Sequence, residues 1–182
     1  FIAMSQKAWE AAEKSNLPKF YLNLKSYKKS LLSNSNPYTP AVNLVFALEE
    51  ALKMMREEGL NNIFFRHNKH KLAISNAVKA LNLKLFADEK YLSPSITAVE
   101  TEEIDAEEFR KTIKNNFDIL LAGGQDHMKG KIFRIGHLGY VNDRDIITVV
   151  SAISNTLLNF DKITTQQAGE ALVVASRYLE ET

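Results

Sequence analysis

Gly130-Lys131-Ile132-Phe133-Arg134-Ile135-Gly136-His137-Leu138-Gly139-Tyr140, continued by Val141-Asn142-Asp143-Arg144-Asp145-Ile146, is the stretch on which the fold turns. It reads as a short apolar strand with one arginine, Arg134, in its middle. A glycine-punctuated loop follows, and a helix opens behind Asn142 or Asp143. Burying an arginine in an apolar run is costly unless an anion meets it. The planar guanidinium fork suits a carboxylate bidentately, which a lysine cannot imitate. Arg134 is therefore a candidate carboxylate anchor. The competing reading is an arginine that reaches solvent or a structural aspartate from an edge strand. Gly136 and Gly139 allow a sharp turn or the close approach of a ligand.

Downstream of this stretch, apolar spacing predicts two closing helices, one over 143–158 and one from Thr164 to 179, with Gln167 as a capping-box partner of Thr164. Upstream, 83–86 and 95–100 read as strands, and Asp105-Ala106-Glu107-Glu108 as a capping box opening a helix to Asn116. Residues 118–122 read as a further strand. Gly123-Gly124 then starts a loop through Gln125, Asp126, His127 and Met128. Asp126 and His127 invite an acid–base role, but a solvated turn accounts for them more simply. The glycine pair lacks the third glycine and helix of a dinucleotide fingerprint.

The N-terminal third reads as helical. Phe1-Ile2-Ala3-Met4 reads as a strand, Ser5 as the cap of a helix through Trp9 to about Ser15, and Pro18 as its stop. Trp9 is expected to anchor a core or an interface. A short amphipathic segment carries Leu24, Tyr27, Leu31 and Leu32, with Lys25, Lys28 and Lys29 outward. After a polar turn over 33–38, Thr39 is predicted as N-cap and Pro40 as the first residue of a helix ending at Gly59. A helix start with a free hydroxyl and free amides is also a ready anion site. The next helix, from Leu60 to about Leu81, is given Ile63, Phe64, His67, Leu72, Ile74, Val78 and Leu81 as its apolar set. His67 and His70 have no carboxylate or cysteine completing a ligand set, so both are assigned to a surface or groove rather than to a metal.

The chain has 182 residues, 45% of them hydrophobic and 25% charged, as in an ordinary globular domain. A formal net charge of +1 gives no electrostatic case for nucleic acid or an anionic membrane. The absence of cysteine excludes disulfides, thiolate metal sites and iron–sulfur ligation within this chain. No apolar run approaches a bilayer span. A reducing, cytoplasmic setting is the expectation. Helices followed by strand–strand–helix–strand–strand–helix–helix predict an α/β domain with a mainly antiparallel sheet covered by helices.

The run Lys131-Ile132-Phe133-Arg134-Ile135-Gly136-His137-Leu138-Gly139-Tyr140, with Asp145-Ile146-Ile147-Thr148-Val149-Val150-Ser151-Ala152-Ile153 behind it, resembles the C-terminal domain of class V aminotransferases of fold type I. The resemblance is to the alanine–glyoxylate and serine–pyruvate group and covers nearly the whole chain. It implies pyridoxal 5′-phosphate as cofactor, small amino-acid and keto-acid substrates, and a homodimer. It implies that Arg134 binds the substrate α-carboxylate. It implies that Thr39, and less directly Asn36, reach the cofactor phosphate of the neighbouring subunit. It implies that residues 1–33 end a large domain and cross over from it, and that 34–182 form the small domain with its long connecting helix. Trp9-Glu10-Ala11-Ala12-Glu13-Lys14-Ser15-Asn16-Leu17-Pro18 resembles the family segment just after the lysine that links the cofactor. Ser5-Gln6-Lys7 copies the triplet carrying that lysine. In the family, however, the triplet leads into a proline-containing turn and a strand, whereas Lys7 leads into a helix. The linking lysine is therefore expected upstream of Phe1, no catalytic residue is assigned here, and the segment alone is expected to be inactive.

Two other readings stay open. One is another class V activity such as a lyase; a desulfurase would need a cysteine. The other is a non-catalytic dimerisation domain of the kind that has carried a soluble-hydrogenase subunit label, although a chain without thiolates offers no ligand to a nickel–iron or iron–sulfur centre.

Overall fold

A computed structural model describes residues 1–180, which divide into two compact units, one up to Met54 and one from Met55 onward. The first unit holds α1 (Gln6–Lys14), α2 (Leu24–Leu32) and most of α3 (Val42–Glu58). Ser5 caps α1 as expected, its hydroxyl accepting from the Ala8 amide. Asn23 caps α2 in the same way. Residues 1–4 form no strand, contrary to expectation, because no described strand lies alongside to pair with them. Trp9 is half-buried, and Lys28 Nζ sits 4.5 Å from the centre of its ring.

The second unit contains α4 (Leu60–Ala80), β1 (Lys84–Leu85), β2 (Ile96–Glu100), α5 (Ala106–Phe117), β3 (Ala122–Gly123), β4 (Ile132–Gly136), α6 (Asp143–Asn159) and α7 (Thr165–Glu180). The four strands make one antiparallel sheet in the order β1-β2-β4-β3. In β2, Thr97 and Val99 point inward; in β4, Phe133 and Ile135 do, as period-two alternation requires. These strands meet α4 and α5, α6 packs on α4 and α5, and α7 packs on α4 and α6. The core runs through Ile74, Val78, Phe109, Ile113, Phe133, Ile135, Ile146, Ile153 and Leu157.

The predicted α/β class and antiparallel sheet are observed. Capping is also as read at Asp105 and Thr164, and α6 opens behind Asn142 as expected. Asp105 accepts from the Glu107 and Glu108 amides. Asn142 and Asp145 form a reciprocal box at α6, and Thr164 with Gln167 does so at α7. Three further expectations fail in the second unit. Phe64 is 65% exposed rather than part of the apolar set, whereas Ile63 and Ile74 on the same helix are buried. The strand expected over 118–122 begins only at Ala122. Asp118 takes a left-handed conformation that closes α5, and the Leu121 carbonyl is claimed by Arg110 Nε at 2.7 Å. His70 is fully buried rather than lying on a surface or in a groove. No described helix is long and apolar enough to cross a membrane.

Gly124 is held by its neighbours. A Cβ there would collide with the carbonyl of Met128 and come within 3.0 Å of Ile132 Cγ1. The Gly124 amide donates to Ile132 O at 3.2 Å, so the backbone cannot retreat without breaking the start of β4. Gly124→Ala should lower stability by about 1–3 kcal/mol, as overpacking does. Urea unfolding of the variant within 0.5 kcal/mol of wild type would contradict that packing.

Candidate functional site

Arg134 lies at the centre of β4, paired on one side with Ala98 of β2 and on the other with Ala122 of β3. Because Phe133 and Ile135 face the core, Arg134 faces the opposite side of the sheet, where it is half-buried. Its Nε donates to the Gly123 carbonyl at 2.9 Å. This bond steers the guanidinium, and among the described residues its two terminal nitrogens have no hydrogen-bond partner. Among the described residues no carboxylate lies within ion-pair distance of Arg134, so the structural-aspartate alternative is not what holds it. A half-buried cation with free donors, flanked by two alanines, can accept an incoming anion without displacing a side chain.

The loop behind Arg134 is fixed from α4. Arg66 donates from one terminal nitrogen to the carbonyls of Gly139 and Val141, each at 2.9 Å, while Glu58 holds the rest of the guanidinium at 2.6 and 2.8 Å. That charged pair lowers the Glu58 pKa: the hydrogen bond from Arg66 outweighs partial desolvation. His67 Nδ1 meets the Ile63 carbonyl at 2.7 Å, leaving Nε2 to accept the Gly139 amide at 3.2 Å. His70 Nε2 and Lys69 Nζ each meet Asp143, at the start of α6, at 2.9 Å. His67 and His70 thus serve the loop. Among the described residues no cluster of potential ligands could hold a metal. Sequence reasoning missed Arg66, Glu58 and Asp143, whose partners lie up to 75 residues away. The one available signal was a charged pair, Glu58 and Arg66, bracketing the start of an apolar helix.

His137 is also fully buried, with Nε2 and Thr97 Oγ1 hydrogen-bonded at 3.0 Å. Burial pushes its pKa down to about 4, and the neighbouring His70 pushes the same way. Its backbone amide donates to Ser95 O at 3.0 Å, so β4 remains fastened to β2 one residue beyond Gly136.

Asn36 and Thr39 belong to the first unit. Both side chains are exposed, just ahead of α3. Thr39 is not the cap: α3 starts at Val42, and the Ala41 carbonyl accepts the Leu44 and Val45 amides. Pro40 cannot donate, and its carbonyl is used by the Val42 amide in a tight turn, which pushes the helix start downstream. Tyr38 pins this approach from within the unit. Its hydroxyl donates to Phe20 O at 3.1 Å, and its ring packs against Tyr21, Phe20 and Tyr27. Lys7 is exposed in the first turn of α1. Asp126 and His127 lie in an exposed 3₁₀ turn with no hydrogen bond between their side chains.

Comparison with known proteins bears on this geometry. No protein-family model matches the chain. A soluble hydrogenase small subunit of a Synechococcus species is 50% identical over 179 residues, covering 98% of this chain and 46% of the relative. The serine–glyoxylate aminotransferase of Methylorubrum extorquens is 34% identical over 188 residues, with 99% and 46% covered. The solved ureidoglycine–glyoxylate aminotransferase of Bacillus subtilis superposes with a TM-score of 0.84 at 28% identity, covering 94% of this chain and 46% of that one. Over nearly its whole length the chain is similar to class V aminotransferases. Its fold is that of the C-terminal domain of pyridoxal-phosphate-dependent transferases. The chain spans about half the length of the curated relatives it matches.

Proposed function

We propose that the chain acts within a pyridoxal-phosphate-dependent aminotransferase that passes the amino group of a small amino acid, alanine or serine, to glyoxylate or pyruvate. The single observation carrying this reading is Arg134, a half-buried guanidinium steered by Gly123 O, with no carboxylate partner among the described residues. Its role is to bind and orient the α-carboxylate common to donor and acceptor. Orientation of this kind is a large part of what a protein contributes to cofactor chemistry.

Asn36 and Thr39 fit a phosphate by donor chemistry. An exposed amide and an exposed hydroxyl precede the N-terminus of a 17-residue helix, which favours an anion. In this proposal they hold the cofactor phosphate of a second subunit, so the working form is a homodimer. The cofactor, when bound, supplies the electron sink for transamination. Lys7, in the first turn of a helix, is not assigned as the linking lysine. The soluble-hydrogenase name of one relative does not favour a metal-centre role here, since the chain has no cysteine to ligate one.

The test is half-reaction kinetics with alanine or serine in the cofactor-loaded enzyme containing Arg134→Ala or Arg134→Lys. Losing a desolvated charge pair costs about 2–5 kcal/mol, so binding of both amino and keto acids should weaken about 30-fold or more in the alanine variant. The lysine variant keeps the charge but loses the fork, and should be impaired too. Unchanged substrate dependence in both folded variants would end the proposal.

A further inference from the structure

Gly136 follows Arg134 by two residues on β4, so a side chain there would stand on the same face of the sheet as the guanidinium. Nothing in the fold asks for glycine at this place. Its φ is not positive, and a Cβ would meet only Leu138 Cδ2, at 3.9 Å, an ordinary contact. Glycine inside a strand weakens it, and one reason to keep it is the close approach of a ligand. Leu138 is 59% exposed, and that same 3.9 Å contact places its side chain over Gly136. The backbone beside Leu138 is not free to move, because Arg66 and His67 hold Gly139 and Val141, and Ser95 and Thr97 hold His137.

We propose that Gly136 and Leu138 determine which acids Arg134 can hold. Gly136 leaves room beside the guanidinium for the carbons next to the bound carboxylate, and Leu138 is a fixed apolar wall that limits their bulk. The assignment rests on Arg134 being the carboxylate anchor. It gives the site a preference for short 2-oxo and 2-amino acids over branched ones.

The experiment titrates the 15N-labelled chain with pyruvate and with the bulkier 4-methyl-2-oxopentanoate, following the Arg134 Nε–H and Gly136 amide resonances, alongside thermal unfolding. Wild type should prefer pyruvate. Leu138→Ala should narrow that preference about 10-fold, and Gly136→Ala should weaken pyruvate about 10-fold, the scale of one methyl group in a fitted pocket. Both variants should unfold at or near the wild-type temperature, and Gly136→Ala should not fall below it. Arg134-dependent binding with unchanged affinities in both variants overturns the Gly136 and Leu138 assignment alone. Absence of saturable binding by wild type, or equal binding by Arg134→Ala, overturns the anchor reading and this assignment with it.

Discussion

Phe109→Ala should cost about 3–5 kcal/mol of stability, the range for removing a large aromatic from a packed core. Phe109 is the central contact of α5 and has no solvent exposure. Its ring centre is 5.0 Å from that of Phe133 on β4 and 6.1 Å, edge-on, from that of Phe160 just beyond α6. One side chain therefore joins helix, sheet and second helix, and the surrounding rings cannot collapse into its volume without abandoning their own contacts. On heating, the unfolding midpoint should fall by roughly 10 °C, using the usual scaling for a domain of this size. Phe64→Ala is the control: its ring is 65% exposed, and the change should stay within about 0.5 kcal/mol. Equal effects of the two substitutions would show that α5 is not packed as described.

Mild acid should destabilise the protein before its carboxylates titrate. An imidazole in the unfolded chain has a pKa near 6.5. Folded His137 is held down to about 4, by burial first and by the nearby His70 second. His70 is lowered too, by burial, although its hydrogen bond to Asp143 opposes the shift. The groups facing this pair are His67, Arg66 and Lys69 from α4, Asp143 from α6 and Thr97 from β2. With folded pKa values below unfolded ones, the unfolded state binds more protons as pH falls through 6.5. Stability is thus unaffected by these groups above about pH 6.5 and declines toward pH 4, by about 3 kcal/mol from His137 at the lower limit. Glu58 and Asp143, whose pKa values are lowered, add a loss in the same direction at still lower pH. Urea unfolding at pH 7, 6 and 5 measures this slope, and His137→Gln should flatten it. An equal slope in that variant would place the proton uptake elsewhere.

The parts of the fold legible in the sequence were those set by neighbours in the chain. The capping box Thr164–Gln167 closes over three residues, so residue type and spacing sufficed. The mid-strand place of Arg134 was legible because apolar, strand-forming residues flank it on both sides. Features decided at a distance were not. His70 looked polar and peripheral until Asp143, 73 residues on, took its Nε2. Phe64 looked like core because periodicity cannot tell which side of an apolar helix its own unit covers. The Arg66 clamp depends on carbonyls in a loop, and carbonyls leave no mark in a sequence. Thr39 was misread as a cap because Thr-Pro is a helix start in most settings, and only the Pro40–Val42 turn moved it.

The strand order also fixes when Arg134 can reach its observed position during biosynthesis. β1 and β2 leave the ribosome first, but β2 finds its second partner only in β4, and β3 has no other sheet partner at all. Until Gly136 has emerged, β2 presents an unpaired edge of the kind that recruits foreign strands. Arg134 rides on the last strand to arrive, and the same insertion that closes the sheet brings its Nε to Gly123. A nascent chain therefore cannot form the Arg134–Gly123 bond before the sheet beneath it is complete.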